Sequence, residues 1–365
     1  MNNQADFASL RADFARALEE LATRFRSQHV LLDALADAVD AFVNNPLVSA
    51  NTFLNFVLMG RPGVGKSRFA ASLARVLGKL GLLIHEDVVV CGRSDFVAEY
   101  EGQTSTKART FLMSQLERCV FLDEAYSLTT WSNVGEGGDR TLSAYSGEAV
   151  TEIVAFLSQR VGATVFIAAG YEQEMLNDFL PSNDGLSRRF PFKLWLADYT
   201  AQELVDIYLE NLATALSDPP PARPLDTDTA RSYFTSTALT FLTDIFTGAR
   251  ETTDDGARYP LLNQLVAAQA GFAVALASTT ALLASSSKRY ARIGVGGGGG
   301  DTWAIGYMDV KSLWETLLAQ QFGPLVDEAL RELNTLSTEA GWRTSAGSWQ
   351  VPPSATLRLR GRRGA

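Results

Sequence analysis

Eight residues, Gly60-Arg-Pro-Gly-Val-Gly-Lys-Ser67, constrain this chain of 365 residues more than any other stretch. They satisfy Gly-x4-Gly-Lys-Ser/Thr, the pattern of a loop that cradles phosphates. The apolar run before it, 53–59, predicts a buried strand. The run after it, 68–78, predicts a helix with Phe69, Leu73, Val76 and Leu77 on one face. Gly60, Gly63 and Gly65 let the backbone turn so that successive N–H groups point at one anion, and the helix N-terminus adds its own donors. Pro62, Val64 and Arg68 complete the wall of that loop. Lys66 would reach the terminal phosphates of a nucleoside triphosphate, and the Ser67 hydroxyl would ligate Mg2+. ATP and Mg2+ are therefore the expected ligands.

A second run supplies the other half of such a site. Cys119-Val-Phe-Leu122 reads as a strand that ends in Asp123-Glu124. At that position Asp123 would hold the metal, and Glu124 would orient or deprotonate the attacking water. Three further apolar runs, 87–92, 164–169 and 192–196, alternate with helical patterns. Five strands alternating with helices predict an α/β fold, a parallel sheet flanked by helices. The polar, glycine-rich stretch 131–145 reads as a loop.

Around this centre the chain divides by composition. Residues 1–47 show apolar residues at helical spacing (Phe7, Leu10, Phe14, Leu18, Leu21, Phe25) and predict an N-terminal helical segment. The α/β domain is expected over 48–197. At Asp198-Tyr-Thr200 the pattern turns all-helical, opening with a capping box, Thr200-Ala-Gln-Glu203. A small helical domain over 198–310 follows, interrupted by Asp218-Pro-Pro-Pro221, with helices near 237–247 and 257–285. Residues 311–365 would hold a final helix and a basic tail. Gly296 to Gly300 is a flexible linker by composition.

Charge narrows the partners. The net charge is −9, although the last ten residues hold four arginines and no acid, so the rest of the chain is more acidic still. That argues against a general nucleic-acid surface. The two cysteines, Cys91 and Cys119, fall in apolar strands and read as buried thiols of a reducing compartment, cytoplasm or organelle stroma. No leader is expected at the N-terminus, where charges interrupt any apolar run. Tyr259 to Ser287 carries no charge, yet its Pro, Asn, Gln, Ser and Thr content predicts a buried helix rather than a membrane span.

Taken together, the phosphate loop, Asp123-Glu124 and the helical second domain resemble AAA+ ATPases. Four further stretches narrow the likeness: Asp95-Phe-Val-Ala-Glu-Tyr-Glu-Gly-Gln-Thr104, Phe121-Leu-Asp-Glu-Ala-Tyr126, Ala169-Gly-Tyr171 and Gly185-Leu-Ser-Arg-Arg-Phe-Pro191. With Ala197-Asp-Tyr-Thr200 they look like red-type Rubisco activases and stage V sporulation ATPases, over roughly residues 30–285. The resemblance implies a P-loop NTPase domain followed by a helical lid. It makes Arg189 the arginine finger that reaches a neighbour's nucleotide, with Arg188 as rival because relatives carry Ser there. Arg258 in Gly256-Ala-Arg258, at the start of the long helix, would be the sensor-2 arginine contacting nucleotide in cis. Tyr100-Glu101-Gly102 would be a pore loop gripping a threaded polypeptide, although relatives have an apolar residue in place of Glu101. Tyr171 stands near the sensor-1 position.

A finger acting in trans implies a homo-oligomeric ring, expected to be a hexamer. The function implied is an ATP-hydrolysing protein remodeller with a protein client, Rubisco being one such client. Two other classes compete. A nucleic-acid motor or switch would show ATPase stimulation by DNA. A structural ring with little turnover would tolerate loss of Glu124.

Overall fold

Strands buried on both faces need apolar residues at every position, and three of the five predicted strands are buried in this way. In the computed structural model these are β1 (Phe56–Met59), β3 (Cys119–Leu122) and β4 (Val165–Gly170), each buried from end to end. With β2 (Val88–Cys91) and β5 (Phe192–Trp195) they form one parallel sheet in the order β2-β3-β4-β1-β5. The structure describes residues 3–25, 28–44, 54–100, 102–133, 140–215, 228, 231, 234–286 and 307–352. Glu101, Asp218-Pro-Pro-Pro221, the glycine run 296–300 and the arginines of the last ten residues lie outside them.

The chain separates into two compact units. The first holds Met1–Arg61 and Gly65–Asp198, and the second Pro62–Val64 and Tyr199–Ala365. In the first, the pleat sends Val57, Met59, Val120, Leu122, Phe166 and Ala168 to one face of the sheet. There they meet Ala108 and Leu112 of α4 (Thr104–Met113) and Val150, Ile153 and Leu157 of α5 (Ala144–Gln159). The alternate residues Phe56, Leu58, Phe121 and Ile167 are equally buried. Helix α3 (Lys66–Lys79), which follows the phosphate loop, buries Phe69, Leu73, Val76 and Leu77, the stripe read from the sequence.

The N-terminal helices α1 (Asn3–Arg24) and α2 (His29–Asn44) belong to the same unit. Phe25 meets Phe69 of α3 edge to face, with ring centroids 5.4 Å apart. Gln28, 1% exposed, uses its amide as a strand would: it donates to the Ala197 carbonyl at 2.8 Å and accepts from the Ala197 N–H at 2.7 Å. An edge beyond β5 is thus satisfied by one side chain. Gln28→Ala is expected to destabilise the first unit by about 1–3 kcal/mol, because two hydrogen bonds of one buried amide go together. Chemical denaturation followed by tryptophan fluorescence reads this, and a change under about 0.5 kcal/mol would refute it.

Residues 131–145, expected as a loop, contain a short antiparallel pairing of Trp131–Asn133 with Arg140–Leu142. Its cross-strand bonds join residues too far apart for the glycine-rich composition to reveal.

The second unit is helical: α6 (Ala201–Ala215), α7 (Ser236–Gly248), α8 (Pro260–Val266), α9 (Gln269–Ser286), α10 (Tyr307–Phe322) and α11 (Val326–Glu339). The capping box forms: the Thr200 N–H donates to Glu203 Oε2 at 2.6 Å, and the Glu203 N–H donates to Thr200 Oγ1 at 3.3 Å. Phe246, Phe272 and Trp314 meet pairwise at 5.1–5.8 Å in its core. Two helices expected as continuous are broken. Gly323-Pro324-Leu325 separates α10 from α11, as a proline after glycine does. The uncharged stretch bends by 91° between α8 and α9, where Gln269 adopts φ 45° and its side chain accepts from the Tyr199 N–H. Among the described residues, no single helix is long and apolar enough to cross a membrane.

Candidate nucleotide site

The carboxyl ends of β1 and β4 lie side by side, with Met59 paired to Gly170. The chain leaves β1 toward β2 on one side of the sheet and leaves β4 toward β5 on the other. Such a reversal opens a crevice at the carboxyl edge of a parallel sheet, where ligands of open α/β folds bind. The phosphate loop leaves β1 at this crevice, and Gly60 donates its N–H to the Gly170 carbonyl at 3.3 Å. Gly63 and Gly65 hold φ of 69° and 96°, values that side chains resist. Helix α3 starts immediately after Gly65, with Ser67 and Arg68 exposed in its first turn.

Lys66 is 8% exposed and donates to the Gly60 and Arg61 carbonyls at 2.8 and 3.2 Å. Burial lowers its pKa, and the charges of Glu124 and Asp123 work against that shift. Its ammonium stands 5.1 Å from the centre of the Tyr171 ring. At the end of β3, the Asp123 N–H donates to the Cys91 carbonyl at 3.0 Å, and Asp123 Oδ1 accepts from the Glu124 N–H at 3.1 Å. Glu124 takes left-handed backbone angles, φ 49° and ψ 50°, which a non-glycine residue adopts at a cost. Burial, then the neighbouring Asp123, pushes its pKa up, while Lys66 pulls it down.

The donors suit a hard cation. Mg2+ takes oxygen ligands and keeps several waters, relying on one or two protein groups plus substrate phosphates. The Ser67 hydroxyl and the half-buried Asp123 carboxylate are such groups. No cluster of three or more His, Cys, Asp or Glu able to hold a metal occurs among the described residues, so no all-protein cage competes.

The two arginines ahead of β5 differ sharply. Arg189 is half-buried and donates from Nε and Nη2 to Ser158 Oγ at 3.0 and 2.7 Å, while its carbonyl accepts from Asn55 Nδ2 at 3.0 Å. Arg188 is exposed and holds no hydrogen bond or ion pair to a described residue. Sequence reasoning gave no role to Ser158, 31 residues from Arg189.

Arg258 does not open a helix. Gly256–Ala257 pair with Thr252–Thr253 in a small hairpin, and Pro260, favoured at a first helical position, starts α8 two residues later. Within the second unit, Arg258 pairs with Glu251 at 2.9 Å and Glu339 at 2.8 Å. Tyr100 is 68% exposed between the short helix Arg93–Phe96 and α4, and Gly102 holds φ 77°. The base of that loop is tied down: Lys107 donates to the Val97 carbonyl at 3.0 Å, and the Ala98 N–H donates to Thr104 Oγ1 at 3.2 Å.

Cys91 and Cys119 are free and buried, and burial raises both thiols, Cys119 to about 12. Neither is primed to react.

Comparison with known proteins agrees with this geometry. Residues 56–194 match the family described as "ATPase family associated with various cellular activities (AAA)". Stage V sporulation protein K of Bacillus subtilis is 31% identical over 42% of this chain and 45% of that protein. The ESX-1 secretion system protein EccA1 of Mycolicibacterium smegmatis is 33% identical over 43% of this chain and 26% of that protein. The chain thus spans less than half the length of these relatives. Among solved structures, a chain of the E. coli MS115-1 HORMA:CdnC:Trip13 complex aligns with a TM-score of 0.40 and 14% identity, covering 76% of this chain and 91% of that one.

Proposed function

From the AAA ATPase domain that this chain carries at residues 56–194, we propose that it hydrolyses ATP and uses the energy to remodel a protein client, as a ring of identical subunits. The observation that carries the reading is the convergence of Lys66, Asp123 and Glu124 at the carboxyl edge of the sheet, beside a loop in which Gly63 and Gly65 hold left-handed backbone angles.

In this reading the loop and Lys66 bind the β- and γ-phosphates, and Ser67 and Asp123 hold Mg2+. Held by those two residues, Mg2+ would supply positive charge that offsets the charge of the phosphates. Glu124 orients a water and accepts its proton as the water oxygen bonds to the γ-phosphorus. The bond from that phosphorus to the bridging oxygen breaks, and ADP leaves with the electron pair. Rings of six are common in this family, and a hexamer would bring the exposed Arg188 of one subunit to a neighbour's γ-phosphate. Tyr100, exposed on an anchored loop, would grip an unfolded segment of the client. Arg258 would serve the nucleotide in cis once it leaves Glu251 and Glu339. A Rubisco-type client is one case of this reading, and the acidic composition favours a protein client over nucleic acid.

The client is the point to test. A Glu124→Gln ring loaded with ATP, isolated from its native source, is expected to retain a specific protein that Tyr100→Ala on the same background releases. That protein is expected to stimulate wild-type turnover several-fold. Stimulation by DNA but by no captured protein would overturn the remodelling reading.

A further inference from the structure

The strand β3 ends in a 3-10 turn, Ala125–Leu128, which folds the chain back over its own acidic end. The Ser127 N–H donates to the Glu124 carbonyl at 2.7 Å, and the Thr129 N–H to the Tyr126 carbonyl at 2.9 Å. The turn returns the Tyr126 side chain to Glu124, where its phenol donates to Oε2. Three observations fix that phenol. The Tyr126 ring packs on the Tyr171 ring with centroids 5.7 Å apart. Tyr171 is itself held against the Lys66 ammonium, 5.1 Å from its ring centre. Gly170 leaves room for the ring, because a Cβ there would meet Tyr126 Cδ1 at 2.9 Å and Met175 Sδ at 2.8 Å.

The geometry points to Tyr126 as the positioning residue for Glu124: its hydroxyl holds one carboxylate oxygen so that the other faces the water to be activated. This rests on the proposed ATPase reading and names what aims its base. Glu124 needs such a partner. Its backbone sits in a left-handed conformation at a strand end, and its carboxylate makes no other hydrogen bond to a described residue that would choose a rotamer. A carboxylate left to rotate can accept a proton from the water in few of its orientations, whereas one fixed by a phenol is already aligned. The stack from Tyr126 through Tyr171 to Lys66 makes the same device sensitive to the group that binds phosphate. In the sequence Tyr126 is simply the end of the run Phe121-Leu-Asp-Glu-Ala-Tyr126, with nothing beside it that marks this role.

Tyr126→Phe keeps the ring beside Gly170 and removes only the hydroxyl. In the intact chain it is expected to lower kcat for ATP about tenfold, the worth of one hydrogen bond to a charged group. KM and ATP affinity should change less than about twofold, since uniform binding is untouched. The decisive comparison is the double variant, measured in single turnovers with radiolabelled ATP so that slow rates are readable. If Tyr126 acts through Glu124, adding Tyr126→Phe to Glu124→Gln leaves the residual rate unchanged. An equal further drop on that background, or a Tyr126→Phe kcat within twofold of wild type, would overturn the inference while leaving the ATPase reading intact. Wild-type turnover in Glu124→Gln alone would place the base elsewhere and remove this inference, whereas no ATP turnover by the wild-type chain would remove the ATPase reading itself.

Discussion

Replacing Lys66 by alanine is expected to weaken ATP binding about a hundredfold or more, while Glu124→Gln is expected to keep affinity within a few-fold and lower turnover by about a thousandfold. The two residues stand on the same crevice and their charges are coupled, yet they would act at different stages. Lys66 is nine-tenths buried and its ammonium is already shed of most water, held by two loop carbonyls. A phosphate that arrives exchanges its own hydration for a preplaced cation. Charge-assisted hydrogen bonds of this kind contribute about 1.5–3 kcal/mol, and 1.4 kcal/mol is a tenfold change in affinity. Alanine also leaves the Gly60 and Arg61 carbonyls without that donor, which loosens the loop.

Glutamine at 124 keeps the shape and the Tyr126 hydrogen-bonding partner but cannot accept the proton from water. A positioned base contributes about 10²–10⁴ in rate, so loss of turnover with retained binding is the signature. Isothermal titration with ATP and steady-state phosphate release separate the two variants. Tight ATP binding by Lys66→Ala would sink the nucleotide site altogether, and normal turnover in Glu124→Gln would move the base elsewhere.

What the sequence made legible is what depends on neighbours in the chain. The loop is read from its glycines and Lys66 because the turn and the helix N-terminus are made by consecutive residues. Asp123-Glu124 is read because the strand that carries it is a short apolar run with no polar position, buried as such runs are. The capping box at Thr200 and the α3 stripe are local in the same sense. What escaped depends on distant partners. Gln28 completes an edge 169 residues away, and nothing near it in sequence marks that task. Helical periodicity runs on through Ala267-Ala268, but the chain bends there, held by a hydrogen bond from Tyr199, 70 residues back, to Gln269. Arg258 has the composition expected around it, but the helix start falls at Pro260 and the arginine turns to Glu251 and Glu339. Ser158 gained its meaning only when folding brought it to a charged side chain 31 residues away, and Tyr126, two residues from Glu124, only through the turn that returns it there.

That last point bears on the two arginines that the sequence alone left as rivals. On the proposed ring, Arg188→Ala is expected to cut kcat by about 10³ or more, the effect of removing an arginine that stabilises phosphoryl transfer from a second subunit. Arg189→Ala is expected to cost far less in rate. Its guanidinium is occupied by Ser158 in the same chain and its carbonyl by Asn55, so it braces the Gly185–Phe190 turn rather than reaching out of it. To leave, it would have to give up two hydrogen bonds to a partly buried hydroxyl, whereas Arg188 is already in solvent.

Mixing subunits distinguishes a finger from a merely structural arginine. Lys66→Ala subunits have no site but keep Arg188, and Arg188→Ala subunits have a site without it. Each alone is expected to be inactive, and together they should recover activity at interfaces where the first donates to the second. A merely structural arginine could not be supplied in this way, because its effect stays within its own chain. Recovery with Arg189→Ala but not with Arg188→Ala would reverse the roles. Failure of both mixtures, with stable rings present, would place the trans cation outside this turn.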